Sequence, residues 1–171
     1  MKQAHIIQTD RLVLRQFEAK DANGFYEMNA DPEVIRHTGD LPFTSVEAAQ
    51  LFIESYDHYQ QYGFGRWTVL DRQKEEYLGF CGLKYSPDKQ EVDLGFRLIR
   101  RYWGLGYATE AAMACLNYGF EHLQMEKIVG RARKDNPASI RVLEKIGMHF
   151  QKTFREEPYL WVQYVKMNHP T

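Results

Sequence analysis

Long apolar runs are missing from this chain. None approaches the ~20 residues that cross a bilayer as a helix, so no helical membrane span is expected in it. Cysteine is scarce: the two, Cys81 and Cys115, lie in apolar segments and read as small core residues. Neither has a Cys/His cluster close by in sequence, which argues against a structural zinc site, and no metal is expected. Charge of either sign is not in surplus. Lys and Arg total 22 against 23 for Asp and Glu, net −1, so no global field favours nucleic acid or an acidic membrane. No repeat or low-complexity block is present. The start Met-Lys-Gln-Ala-His has no apolar signal core. These absences lead us to expect a cytoplasmic, reduced protein, a monomer or homodimer, with one domain over residues 1–171.

What is present suits an ordinary globular core. Hydrophobic residues make up 44% and charged residues 26%. A domain near this size buries about 70% of its unfolded surface. Aromatics reach 14%, with 11 Tyr and 10 Phe, which fits either a Tyr-rich core or a lined cleft.

Alternation at Leu12 and Leu14 predicts a strand over Arg11–Arg15. Helices are predicted over Ala19–Ala30, from Asp31-Pro32-Glu33 to before Gly39, and over Ser45–Tyr62. Strands follow at Arg66–Leu70, Tyr77–Lys84 and Val92–Leu98, separated by polar turns, and read as an antiparallel meander. The pattern then changes to a helix over Gly104–Leu123, a strand over Lys127–Arg133 and a helix over Asn136–Ile146. Strands at Met148–Phe154 and Tyr159–Met167 complete it. The class is α/β (α+β), a mixed sheet with helices on its faces.

One loop carries a chemical signal. The strand holding Val92, Leu94 and Phe96 leads into Trp103-Gly104-Leu105-Gly106-Tyr107-Ala108 and straight into a helix. Two glycines permit a tight turn and a close approach of backbone to ligand. Free amides at the helix start, with the macrodipole, form an anion site. Ala108, Ala112, Cys115, Leu116 and Gly119 give that helix a small or apolar face, so it can sit close to the sheet. The pattern suits a pyrophosphate cradle or simply a short turn. A dinucleotide fingerprint fits poorly, because Thr109 stands at the third glycine position, and no Gly-Lys-Ser/Thr is present for a P-loop. Asn136-Pro137 reads as an N-cap followed by a first helical proline, with Ser139 at the third position. His37, His58, His122 and His149 have no partner spacing and read as packing or surface residues.

These segments together resemble the GNAT superfamily of acetyltransferases, in the branch that includes ribosomal-protein N-terminal acetyltransferases. Thr9-Asp10-Arg11-Leu12-Val13-Leu14-Arg15 is similar to the opening strand. Asp31-Pro32-Glu33-Val34 and Pro42-Phe43-Thr44 are similar to the early helical region, and Gly79-Phe80-Cys81-Gly82-Leu83 to the third strand. Asp93-Leu94-Gly95-Phe96 and Tyr102 to Ala111 resemble the cofactor motif, and Asn136 to Ser139 with Lys145 to Met148 the second motif. The resemblance implies a mostly antiparallel sheet with a splayed strand pair that holds acetyl-CoA, and transfer of its acetyl group to an amine. Amides from Trp103 through Gly104, Leu105, Gly106 and Tyr107 to Ala108 would hold the pyrophosphate, Thr109 beside them belongs to the same cofactor site, and Leu98 and Asn136 would meet the pantetheine arm. Ser139 would sit near the thiol. Asp93 is a candidate base acting through water, on an open strand face, and Tyr164 a candidate acid facing the cleft. Two departures stand out. Leu105 replaces a frequent cation, with Arg100 and Arg101 as candidates to compensate, and Asp93 replaces a frequent Glu. Glu33, Glu47, Glu54 and Asp57 are candidates to favour a cationic acceptor. A non-catalytic acyl-CoA sensor and a nucleotide-binding protein are the competing readings.

Overall fold

A computed structural model describes residues 5–169. The reading of the first residues as lacking a signal core falls largely outside them. The chain opens with β1 (Ile7–Gln8) and β2 (Leu12–Arg15). A 3₁₀ turn at Ala19–Asp21 leads into α1 (Ala22–Ala30), followed by α2 (Pro32–Ile35), α3 (Val46–Glu54) and α4 (His58–Tyr62). The meander is β3 (Arg66–Asp71), β4 (Tyr77–Ser86) and β5 (Glu91–Leu98). Then come α5 (Tyr107–Glu121), β6 (Lys127–Arg133), α6 (Pro137–Lys145), β7 (His149–Glu156) and β8 (Tyr159–Met167). The strands form one sheet in the order β1-β2-β3-β4-β5-β6-β8-β7, antiparallel throughout except between β5 and β6.

Side chains alternate across a strand, so each face of the sheet takes its own helices. Cys81 and Leu83 of β4 join Cys115 and Leu116 of α5 in the main core. Gly119 lets α5 lie close: a Cβ there would stand 2.6 Å from Ile128 Cδ1 and 3.0 Å from Leu83 Cδ1. Phe80, of opposite parity on β4, packs instead with Phe17, Phe25 and Ile53 under α1 and α3. On the Phe80 face of the sheet Arg15 and Asp21 form a buried ion pair at 2.8 Å, and Thr68 Oγ1 donates to the same carboxylate at 2.7 Å. No helix among the described residues is long and apolar enough to cross a membrane.

Two helix boundaries differ from the sequence reading. The helix expected over Ser45–Tyr62 is two helices. Its start holds, since Ser45 Oγ accepts from the Ala48 amide at 3.0 Å. It stops at Ser55, whose hydroxyl donates to the Phe52 carbonyl. Tyr56 leaves the helix, its hydroxyl accepting from the Arg66 amide at 2.9 Å and its ring packing on Phe17 and Tyr59 at 4.9 Å each. The cofactor-loop helix begins at Tyr107 rather than Gly104, because Gly104 (φ +75°) and Gly106 (φ +84°) are both left-handed.

Candidate active site

β5 and β6 pair only at Asp93–Val129 and Leu94–Gly130. Beyond those two positions both strands continue, each bonded to its outer neighbour, and a gap opens between them. The Ile99 amide bonds the Leu78 carbonyl on β4. Hydrogen-bonding direction alternates along a strand, so the backbone groups of Phe96 and Leu98 face the gap. The Leu98 carbonyl is occupied by the Trp103 indole N–H at 3.0 Å. Phe96 was not singled out from sequence; only the register reveals its backbone in the gap.

The expected loop closes one end of this gap. The first α5 amide to bond back to the cap is Glu110, to Gly106 O at 3.1 Å. The amides of Tyr107, Ala108 and Thr109 precede it, and Gly106 contributes no side-chain cap. Trp103, Gly104, Gly106, Tyr107, Ala108 and Thr109 line a cleft of about 1280 Å³. Leu105 is exposed and lies outside that lining. Arg100 and Arg101 do not replace the missing cation, because they pair with Asp31 (2.9 Å) and Glu27. Arg11 stands at the loop instead. Its Nη1 donates to Leu105 O at 2.9 Å, its Nε bonds Glu110 at 2.8 Å, and its guanidinium lies 4.4 Å from the Tyr107 ring centre. Glu110 also accepts from the Thr9 hydroxyl at 2.6 Å. Burial pushes its carboxyl up, but these bonds outweigh that and hold it below the ordinary range. A separation of 94 residues hid the Arg11–Leu105 contact from sequence reasoning.

Across the gap, the start of α6 lines the same cleft. Asn136 Oδ1 accepts from the Ser139 amide at 3.3 Å, and Asn136 Nδ2 donates to Ser139 Oγ at 3.0 Å. The cap and the candidate thiol-side hydroxyl are therefore one bonded unit. Arg141 and Lys145 of α6 line the cleft as well, and neither joins an ion pair among the described residues.

The other two catalytic candidates require correction. Asp93 lines the cleft, but its carboxylate is not free. Arg66 Nη2 bonds one carboxylate oxygen at 2.6 Å and Arg131 Nη1 approaches the other at 3.5 Å. Burial alone would raise its pKa, but Arg66 and then Arg131 outweigh it, and the net shift is downward. A carboxylate so engaged is a poor proton acceptor. Its stabilising charge is fully present above the unfolded pKa of about 3.9 and is lost as pH falls through the lower folded value. Replacing Asp93 by Asn leaves Arg66 without its counter-charge, while Arg131 keeps Glu91 at 3.4 Å. Each side chain of the Arg66–Asp93 pair keeps 15–17% exposure. The expected loss is roughly 2 kcal/mol, below the 3–5 of a fully buried pair, read by urea melts at pH 7.

Tyr164 lies on the face of the sheet opposite Asp93 and Arg131, packed under α6. It stands opposite Gly130 on β6, where a Cβ would meet Leu143 of α6 at 2.6 Å. Its hydroxyl donates to Glu144 at 2.9 Å, and burial, then that carboxylate, pushes the phenol up. It is absent from the cleft lining. Of the acidic residues suggested for a cationic acceptor, Glu33 lines the cleft and Glu47, Glu54 and Asp57 do not. His37 lines it too. His58 is a packing residue whose Nε2 accepts from the Tyr85 amide, so Nδ1 donates to Phe64 O. Among the described residues no group of three His, Cys, Asp or Glu is placed to hold a metal ion.

Residues 11–149 match the family model for the acetyltransferase (GNAT) domain. The uncharacterized protein YkkB of Bacillus subtilis is 37% identical over 151 residues, 86% of this chain and 87% of that protein. A crystal structure of a GNAT-family acetyltransferase from Bacillus anthracis superposes with TM-score 0.83, at 26% identity over 95% of this chain and 98% of that one. The spermidine N-acetyltransferase of Vibrio cholerae, solved with CoA and spermine, shares the fold at TM-score 0.79 and 18% identity, over 94% and 97% of the two chains. The mixed, mostly antiparallel sheet with its helices agrees with these matches. The chain belongs to the GNAT family of acetyltransferases and is an N-acetyltransferase.

Proposed function

We propose that the chain acts as a single catalytic domain, in the cytoplasm, that binds acetyl-CoA in the β5–β6 gap and transfers the acetyl group to a primary amine. The observation that carries this reading is the gap itself, bounded at one end by left-handed Gly104 and Gly106 and along one side by Asn136 and Ser139. The amides of Tyr107, Ala108 and Thr109 hold the pyrophosphate, with Trp103, Gly104 and Leu105 shaping the turn before them. Backbone groups of Phe96 and the amide of Leu98 meet the pantetheine arm, much as an added strand would. Arg141 and Lys145 supply the positive charge that Leu105 lacks. Cys81 and Cys115, both free and buried, suit a reducing compartment.

In the reaction the neutral amine attacks the thioester carbonyl. A C–N bond forms, the C–S bond breaks, and the electron pair leaves with sulfur. Ser139 donates a hydrogen bond to the departing thiolate. The proton shed by the amine passes to water in the open cleft, and Asp93 remains ionised between Arg66 and Arg131. The Asp93→Asn variant therefore has a pH–rate profile that overlays the wild type from pH 6 to 9 once both are folded. A profile that diverges at low pH would restore Asp93 as base. The direct test of the cofactor is thermal. Acetyl-CoA at 100 times its dissociation constant is expected to add about 2.7 kcal/mol to stability, and no response to CoA or acetyl-CoA would overturn the reading. CoA release with a panel of amines then measures turnover.

A further inference from the structure

The acceptor half of the cleft has an apolar wall and no free acid. Its wall is aromatic. Phe25 packs on Phe17 (5.6 Å), Phe43 (5.7 Å), Phe52 (5.4 Å) and Phe80 (5.8 Å), with Tyr56 against Phe17 (4.9 Å). All six line the cleft, and Leu41, 87% exposed, stands at the rim. The carboxylates of the cleft are already taken. Asp93 is paired with Arg66 at 2.6 Å, Asp40 with Arg97 at 2.8 Å, Glu156 with Lys89 at 3.6 Å and Glu33 with Arg36 at 3.7 Å. A second ammonium on the acceptor would find no unpaired partner.

One cation on this half is left over. Lys84 lines the cleft, lies on the same face of β4 as Phe80, and stands opposite Asp93 in the β4–β5 register. Among the described residues it joins no ion pair. Arg66, Arg131 and Lys84 of the cleft lining face Asp93, and Glu91, just outside that lining, is shared between Arg131 and Lys127. Surplus positive charge beside an apolar wall suits an anion on a hydrophobic body. From this juxtaposition of an aromatic wall, paired acids and an unpaired Lys84, we infer that the acceptor is a small amine with an apolar body and a carboxylate, an apolar amino acid rather than a polyamine. The inference rests on the reading of the cleft as an acetyl-transfer site and assigns Lys84 the carboxylate.

The test is CoA release by the purified full chain with L-phenylalanine, L-phenylalaninamide, phenethylamine and spermidine. L-Phenylalanine is expected to exceed the amide and phenethylamine in kcat/KM by about tenfold or more, the effect of one hydrogen bond to a charged group. Spermidine is expected to be the poorest. Lys84→Met keeps the stem, and the ratio of acid to amine should fall about tenfold. Equal or better use of phenethylamine, the amide or spermidine overturns the inference, as does an unchanged ratio in Lys84→Met. If CoA raises the melting temperature yet none of the four is acetylated, the acceptor inference falls and the cofactor reading stands. If CoA leaves the melting temperature unmoved, the cofactor reading falls and takes this inference with it.

Discussion

Gly106→Val is expected to weaken CoA binding by at least about 100-fold while the chain stays folded. Gly106 sits at φ +84°, where an L side chain costs about 1–2 kcal/mol and a β-branched one more. A Cβ there would also stand 3.3 Å from Arg11 Nη2, so valine must displace the guanidinium or turn the loop. Turning the loop re-aims the amides of Tyr107 and Ala108, which open α5. Each hydrogen bond from an amide to a charged phosphate contributes about 1.5–3 kcal/mol, and losing two exceeds the 2.7 kcal/mol that a 100-fold change requires. The residue is exposed and joins no core cluster, so the melting temperature without ligand should fall by only a few degrees. Gly104→Ala separates strain from occupancy. Its φ is +75°, but a Cβ would meet nothing within 4 Å, so a several-fold loss is expected on the strain alone. Calorimetric titration with CoA beside circular-dichroism melts measures both. Micromolar affinity retained in folded Gly106→Val would show that this loop does not hold the phosphates.

Features set by neighbours in sequence were legible, and features set by strand pairing were not. The two loop glycines, the Ser45 cap and the Asn136-Pro137 start of α6 depend on residues within one turn, and each has the local geometry its residue type demands. The meander was readable because period-two patterns were broken by polar turns. Asp93 could not be placed that way. Its partners Arg66 and Arg131 lie 27 and 38 residues away, and only the order β3-β4-β5-β6 brings them to one face. Tyr164 failed for a related reason. Alternation says that it shares a face with Val162, but which face carries α6 depends on the β6–β8 register, where Gly130 and Leu143 settle it. Arg11 was visible in the opening motif, yet its work at the cofactor loop depends on β2 and the start of α5 meeting across the fold. The break at Ser55 was missed because the apolar face that predicts one long helix runs on to Tyr56, whose hydroxyl is claimed by Arg66.

Ser139→Ala is expected to lower kcat by about 10², the low end of the range for positioned proton donors, with the acetyl-CoA KM changed less than threefold. A thiol has a pKa near ~8.5, far below that of a serine hydroxyl, so Ser139 does not hand over its proton outright. It stabilises the thiolate by a hydrogen bond that strengthens as the C–S bond breaks, and such a contact acts in the transition state. The geometry leaves the hydroxyl free to do this. Asn136 Nδ2 already donates to Ser139 Oγ at 3.0 Å, so the serine accepts from Asn136 and keeps its own hydrogen for sulfur. Alanine preserves the rest of the unit, because Asn136 Oδ1 caps the helix through the backbone amide of residue 139 at 3.3 Å. Stability should therefore hardly change. Asn136→Ala makes the contrast: it removes the cap, costs about 1 kcal/mol of stability and frees the hydroxyl's orientation together. Single-turnover acetyl transfer with a verified acceptor, compared with acetyl-CoA binding, separates the two effects. An unchanged kcat in Ser139→Ala would remove Ser139 from the leaving-group step. Tyr164 could not then inherit it, because its hydroxyl is spent on Glu144 and the residue does not line the cleft, and water there would be the donor.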